Sequence, residues 1–203
     1  MNEHDKFDPK LNKTRRNLVM ATSVVGGAAA VGAAVPFVVS LWPSERARAA
    51  GAPVEVDISK LAPGELGIFE WRGKPVWVLK RTPEMLQGVK ADDPIVSDPK
   101  SEVPQQPEYA KNEYRSIKPD VLVLIGVCTH LGCSPKEMPA SAKAEMGADW
   151  HGGFYCPCHG SKFDFAGRVI KGSPAPTNLE VPPYTFLSDS TVVIGEDEKT
   201  KGA

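Results

Sequence analysis

The sequence predicts a mostly β protein: an antiparallel β head, carrying a small cluster-binding subdomain, behind a single N-terminal transmembrane helix. Three observations carry that expectation. Leu18–Leu41 runs 24 residues without a charge, long enough as a helix to cross a bilayer with some tilt. After residue 50 the apolar runs are short, β-branched and broken by Pro and Gly, which favours strands and loops over a helical bundle. All four cysteines, with two of the four histidines, fall in two short boxes, Cys-Thr-His-Leu-Gly-Cys at Cys128–Cys133 and Cys-Pro-Cys-His-Gly-Ser at Cys156–Ser161. The charges nearly cancel, with 24 basic against 25 acidic residues, so neither nucleic acid nor a strongly charged substrate is expected.

Residues 1–17 form a polar tail with too few apolar groups to fold around. The span at 18–42 is rich in Ala, Gly and Val, and Gly26, Gly27 and Gly32 either admit a neighbouring helix or simply lower its hydrophobicity. Pro36 near its far end can kink the helix, and Trp42 suits the membrane interface. The span exceeds a typical signal core, which favours a retained anchor over a cleaved signal peptide, although Arg48-Ala49-Ala50 has the look of a cleavage site. Small residues and charges at 43–53 read as a flexible linker.

The head is expected over 54–195. Val54–Ile58 alternates like a half-buried strand, and Ile68–Trp71 and Pro75–Lys80 flank Arg72-Gly73-Lys74 as a hairpin with Gly in the turn. Thr82–Pro119 is polar and proline-bearing, and reads as an insertion of long loops with one short helix near Pro83–Val89. Val121–Val127 is a continuous apolar strand that delivers Cys128 into the first box, a rigid mount for a ligand. Pro135–Trp150 reads as a polar loop. Gly153–Tyr155 leads into the second box and Phe163–Ile170 leads out, forming a hairpin arm, within a cluster-binding subdomain at about 126–176. Gly172–Pro176 is stiff and small, suited to covering an apolar cofactor edge. Tyr184–Leu187 and Thr191–Ile194 make a last hairpin, followed by a charged, frayed tail at 196–203.

Each box offers one Cys and one His in a tight loop, plus one extra Cys. Two thiolates and two imidazoles are the donor set of a Rieske 2Fe–2S cluster, with Cys on one iron and His on the other. Tetrahedral zinc is the competing reading, but it would leave a Cys idle in each box, and zinc loops more often pair like ligands. The spare cysteines, one per box, can close a disulfide that staples the loops together, which implies an oxidising compartment. Thr14-Arg15-Arg16-Asn17-Leu18-Val19 resembles a twin-arginine export signal, the route for a head whose cofactor is inserted before export.

With the twin-arginine start, anchor, small-residue linker, β head, both boxes and the Pro loop, the chain resembles the Rieske iron–sulfur subunits of quinol–cytochrome c reductases over nearly its whole length. The resemblance implies Cys128, His130, Cys156 and His159 as ligands of one 2Fe–2S cluster and a disulfide between Cys133 and Cys158. It also implies a hydrogen bond from Ser161 to a bridging sulfide, and Leu131 and Pro174 in the cluster and docking surface. His159, with His130, would hydrogen-bond quinol and accept its proton, because an iron-bound imidazole keeps its second nitrogen for proton chemistry. The electron would pass to a c-type cytochrome as the head swings on the linker. The implied partners are a cytochrome b subunit, a c-type cytochrome subunit and quinol, in a dimeric complex. The implied place is the bacterial inner membrane, with the N-terminus cytoplasmic and the head periplasmic. Phe163 departs from the family, which often has Tyr there, so a lower potential is expected. Other readings are a Rieske subunit of another exported oxidoreductase (a plastoquinol-oxidising complex or an arsenite oxidase), or a zinc-stapled anchored domain without redox chemistry.

Overall fold

The computed structural model describes residues 9–44 and 51–197. The chain divides into two compact units, an N-terminal helix and a β head.

Helix α1 (Pro9–Ser40) is 32 residues, about 48 Å long at 1.5 Å per residue. Within its stretch Lys13–Ser40 an 18-residue window reaches a mean hydropathy of 1.9, apolar enough to cross a membrane. It starts before Leu18, so Arg15 and Arg16 lie on the helix that carries the uncharged span. The Thr22 hydroxyl donates to the Leu18 and Val19 carbonyls, so no polar group of that side chain is left bare on an apolar surface. Of the expected linker, residues 45–50 lie outside the described residues.

Nine strands build the head as three three-stranded antiparallel sheets. β1 (Val54–Asp57) pairs with β9 (Thr191–Ile194), which pairs with β8 (Tyr184–Ser188), so the start and end of the head close on each other. β2 (Leu66–Trp71), β3 (Lys74–Lys80) and β4 (Val121–Ile125) form the second sheet. The β2–β3 turn places Arg72 at φ 53° and Gly73 at φ 70°, the paired positive φ of a two-residue hairpin whose twist matches the strands. β5 (Lys136–Met138), β6 (Gly153–Tyr155) and β7 (Lys162–Asp164) form the third sheet, all within 126–176. One core runs through all three. Phe154 on β6 lies between Trp77 on β3 (ring centroids 4.8 Å apart) and Phe165 (5.9 Å, edge to face). Such rings supply large buried area with defined geometry.

Several expectations change in detail. β4 is buried at every residue but ends at Ile125, and Gly126-Val127 carry the chain into the first box. Pro135–Trp150 is not a plain loop: it adds β5 and a short helix, α3 (Lys143–Met146), and the Trp150 indole N–H is held by the Pro139 carbonyl at 3.1 Å. The C-terminal end stays ordered past Gly195, whose N–H donates to the Pro183 carbonyl, and Asp197 is buried. Residues 198–203 of the expected tail lie outside the described residues.

Helix α2 (Pro83–Ala91) starts at Thr82, whose hydroxyl accepts the Met85 N–H, and carries Pro at its first position. It ends at Asp92, whose side chain is 2% exposed and meets the His151 imidazole, Oδ1 to Nδ1 at 2.7 Å. Burial pushes the Asp92 carboxyl up from 3.8 to about 6, with the His151 hydrogen bond opposing it. The fold therefore prefers the protonated form more than the unfolded chain does. The stability this group contributes is fully present below about pH 4 and is lost as pH rises through about 6. Asp92→Asn removes that dependence. Comparing the two by denaturation of the full chain in detergent, the difference should move in favour of the variant by on the order of 3 kcal/mol between about pH 4 and pH 7. A gap independent of pH would show that Asp92 is ionised at no cost.

Candidate metal centre

The two boxes fold into the same loop twice. In the first, the Cys128 N–H donates to the Cys133 carbonyl (2.7 Å) and the Gly132 N–H to the Cys128 carbonyl (3.0 Å). In the second, the Cys156 N–H donates to the Ser161 carbonyl (2.8 Å) and the Gly160 N–H to the Cys156 carbonyl (2.9 Å). Cys133 and Cys158 are joined by a disulfide, which ties one loop to the other across 25 residues of sequence. β4 mounts the first loop, and β6 and β7 are the two arms of the second.

The disulfide leaves Cys128 and Cys156 as free thiols, each 2% exposed. The sulfurs of Cys133, Cys156 and Cys158 gather within 4.8 Å, but two of those three are spent on the disulfide. His130 and His159 face each other with ring centroids 4.8 Å apart, perpendicular. His130 is half-buried and its Nδ1 is sealed from solvent with no hydrogen-bond partner, whereas His159 is exposed. An orphaned imidazole nitrogen costs desolvation energy and makes sense as a metal donor. Burial also pushes the Cys156 thiol up, and the neighbouring Cys128 sulfur adds to that. Two buried thiolates side by side need a cation to balance them. The donor set of two thiolates and two imidazoles is therefore suited to a 2Fe–2S cluster held by Cys128, His130, Cys156 and His159.

The surroundings split by exposure. Leu131 is 70% exposed, and Pro174 is exposed as well. Ser161 is fully buried; its Oγ accepts the Ala175 N–H at 3.0 Å, which leaves its hydroxyl hydrogen to donate elsewhere. The Thr129 hydroxyl donates to the Thr177 carbonyl (2.7 Å), fastening the first box to the end of the Pro loop. Phe163 is fully buried on β7.

Four buried charges behind the second box were not foreseen from sequence. Arg168, fully buried, donates Nε to Asp164 Oδ2 at 2.7 Å and Nη1 to Asp93 at 2.6 Å. Asp164, also fully buried, accepts the N–H groups of Ala166 and Arg168 on Oδ1. Arg115 donates to the carbonyls of Ala166, Gly167 and Leu179, and Arg81 to those of Tyr114 and Phe165. The only local signal was Asp164 and Arg168 standing four apart inside the otherwise uncharged run Phe163–Ile170.

Paired cysteine–histidine loops on a β head, preceded by an apolar helix, define a membrane-anchored Rieske-type iron–sulfur protein. Residues 101–184 match the Rieske [2Fe–2S] domain, and residues 8–44 match the ubiquitinol–cytochrome c reductase Fe–S subunit TAT signal. The chain is 62% identical over 188 residues to the ubiquinol–cytochrome c reductase iron–sulfur subunit of Allochromatium vinosum, covering 92% of this chain and 91% of that one. It is 42% identical to the subunit of the same name from Blastochloris viridis, covering 90% and 93%. A solved structure described as a hyperthermophilic respiratory Complex III is 31% identical, covers 86% of this chain and 96% of its own, and superposes with a TM-score of 0.46. The chain belongs to the family of ubiquinol–cytochrome c reductase iron–sulfur subunits, and its cofactor is one Rieske-type 2Fe–2S cluster. Nothing supports the zinc reading or the other exported oxidoreductases.

Gly153 tests how tightly the second box is mounted. Its φ is 151°, and a Cβ there would stand 2.0 Å from the Phe163 carbonyl oxygen and 2.8 Å from the Asp164 Cα. Backbone cannot yield as a flexible side chain can, so Gly153→Ala should open the β6–β7 pair at a cost of at least about 2 kcal/mol. Iron and acid-labile sulfide per purified chain should fall by more than half; retention of full cluster content would show the pairing is dispensable.

Proposed function

We propose that this chain is the electron-transfer subunit of a membrane quinol–cytochrome c oxidoreductase, taking one electron and one proton from quinol at His159 and His130 and passing the electron to a c-type cytochrome subunit. The observation that carries the reading is the pair of facing imidazoles at the exposed end of a site whose thiols are buried. When bound, the cluster supplies a one-electron acceptor that is less negative, and so more oxidising, than an all-thiolate one.

The chain's own residues do the rest. His130 uses its buried Nδ1 toward the metal, so Nε2 is the nitrogen left for proton chemistry. His159 is the more exposed of the two and is the hydrogen-bond partner of quinol. Leu131 and Pro174 give the tip an apolar surface that excludes water as it docks on cytochrome b. Ser161, whose Oγ accepts the Ala175 N–H and keeps its hydroxyl hydrogen to give, would donate to the bound cluster and favour its reduced state. The buried Cys128 and Cys156 keep the opposite side of the site dry. The quinol pocket is completed by the partner subunit.

Location follows the same logic. Arg15-Arg16, on α1 just before its uncharged stretch, direct export of a folded head through the bacterial inner membrane, with the N-terminus left in the cytoplasm and the head in the periplasm. The oxidising periplasm preserves the Cys133–Cys158 bond. The segment 43–53 is the hinge on which the head moves between partners, and the complex is dimeric.

Three measurements test the reading. Low-temperature electron paramagnetic resonance of the full chain should show a Rieske signal after ascorbate alone. A signal that needs dithionite would mean a low-potential, ferredoxin-like role. Phe163→Tyr restores a hydroxyl beside the site and should raise the midpoint potential by about one hydrogen bond, ~1 kcal/mol or about 40 mV for one electron; an unchanged or lowered potential removes Phe163 as a cause. Replacing part of 43–53 by consecutive prolines should cut quinol–cytochrome c turnover severalfold while leaving the cluster spectrum untouched, and full turnover in that variant would rule out a swinging head.

A further inference from the structure

We propose that Arg81, Arg115 and Arg168 form a fixed positive frame behind the second box that raises the cluster's affinity for an electron, with Asp164 as the buried counter-charge that limits it. The inference rests on reading the second box as a cluster loop. These are positioning and tuning residues, since none of them is a ligand.

The arrangement converges on one turn. The Phe165 carbonyl accepts from Arg81 Nη1 at 3.0 Å, and the Ala166 and Gly167 carbonyls accept from Arg115 Nη1 at 3.1 and 3.4 Å. Arg168 closes the turn onto Asp164. The turn follows β7, four to six residues after Ser161, whose carbonyl holds the Cys156 N–H, so the frame sits at the end of the arm that leads out of the second box. From the other side, Leu124 of β4 packs where a Gly167 side chain would stand, which brings the mount of the first box to the same place.

Among the buried charges of the frame, three guanidiniums face one carboxylate, Asp164. Arg168 is paired with Asp164 and with Asp93, the latter half exposed. Among the described residues, Arg81 and Arg115 have no carboxylate partner within salt-bridge distance: they meet carbonyls, the Ser116 hydroxyl and the Gln106 side-chain oxygen. Their Nε atoms are buried with no partner at all. Burial pulls each guanidinium down to about 10, opposed at Arg81 by Tyr184, Asp164 and Asp120 and at Arg115 by Asp164 and Asp98, so both remain charged at neutral pH. Of those carboxylates Asp164 alone is fully buried, while Asp120 is exposed and Asp98 partly so. Neutral amides or hydroxyls could hold three carbonyls without the desolvation cost of two unpaired buried cations. What a neutral donor cannot supply is a field. Inside the head that field is weakly screened by protein and hardly at all by salt. Reduction adds one negative charge to the cluster, so a positive frame favours the product of the electron step over its starting state, whether or not a proton follows to an imidazole.

Substitutions of opposite charge separate this from simple bracing. Full-length protein with its cluster, in detergent, would be titrated with redox mediators at neutral pH and followed by electron paramagnetic resonance, whose line positions also report whether ligation is intact. At the midpoint of the parent, Arg115→Gln should lower the ratio of reduced to oxidised cluster about threefold, equal to ~28 mV at 59 mV per tenfold for one electron. Arg115→Lys, which keeps the charge and loses the fork, should shift it by less than half as much. Asp164→Asn, which can still accept the Ala166 and Arg168 N–H groups through its Oδ1, should raise the ratio by a similar factor. Loss of bracing loosens the site whichever residue is changed, so it cannot move the two in opposite directions. Equal shifts for Arg115→Lys and Arg115→Gln, shifts of the same sign for Arg115→Gln and Asp164→Asn, or no shift overturn the proposal. If Arg115→Gln fails to hold a cluster, Asp164→Asn decides alone, a rise supporting the frame and a fall or no change rejecting it. A parent without any Rieske signal would instead overturn the reading of the boxes.

Discussion

Everything at the tip of the head depends on holding two loops, each with half of a donor set, at one point. Neither loop has donors enough alone, and each is short, glycine-bearing and exposed at its apex. The Cys133–Cys158 bond joins them covalently, so the entropy of bringing them together is removed from the cost of binding the cofactor. Each loop is then fixed at its base by the same pair of backbone hydrogen bonds, and each base is welded to a strand. Precision at the donors is inherited from β4 and β6–β7, not generated in the loops themselves.

Those strands hold still because the head has one core. Phe154, on the incoming arm of the second box, lies against Trp77 of the central sheet, and Phe165, past the outgoing arm, packs edge-on to Phe154. Displacing either arm would uncover aromatic area shared with the rest of the head. The buried arginines complement this packing. They satisfy the carbonyls of a turn that enters the core, where water cannot reach them.

The parts of this architecture legible in the sequence are those written in contiguous residues. The boxes, the uncharged span, the Arg72-Gly73 turn and the alternating strand Val54–Asp57 announce themselves through spacing and period alone. Val121–Val127 was legible as a strand but not its end, because Gly126-Val127 continue the apolar run after the ladder has stopped. Pro135–Trp150 looked like a loop because β5 is three residues long and takes its register wholly from Tyr155, Phe154 and Gly153 across the sheet. The charges behind the second box were invisible for a similar reason. Arg81, Arg115 and Arg168 stand 34 and 53 residues apart and meet only in three dimensions. A lone arginine in a sequence reads as surface, since long charged residues are rarely buried without partners.

The asymmetry of burial across the site is what makes it useful for coupled chemistry. Thiol donors 2% exposed place one side of the metal centre in the core, where charge is weakly screened and the field of the protein acts strongly. His130, half-buried, and His159, exposed, place the proposed imidazole donors toward the tip, the side where a substrate and its proton would be reached. Exchange the two and the function fails on both counts: buried imidazoles would have no route for protons, and exposed thiolates would face water and oxidants. The order Cys then His within each box therefore does more than supply ligands. Each chain segment emerges from a strand, leaves its Cys at the buried base of the loop, and carries its His outward toward the apex. In the proposed ligand set the direction of the chain thus sorts the Cys donors inward and the His donors outward, twice over, and the Cys133–Cys158 disulfide joins the two loops.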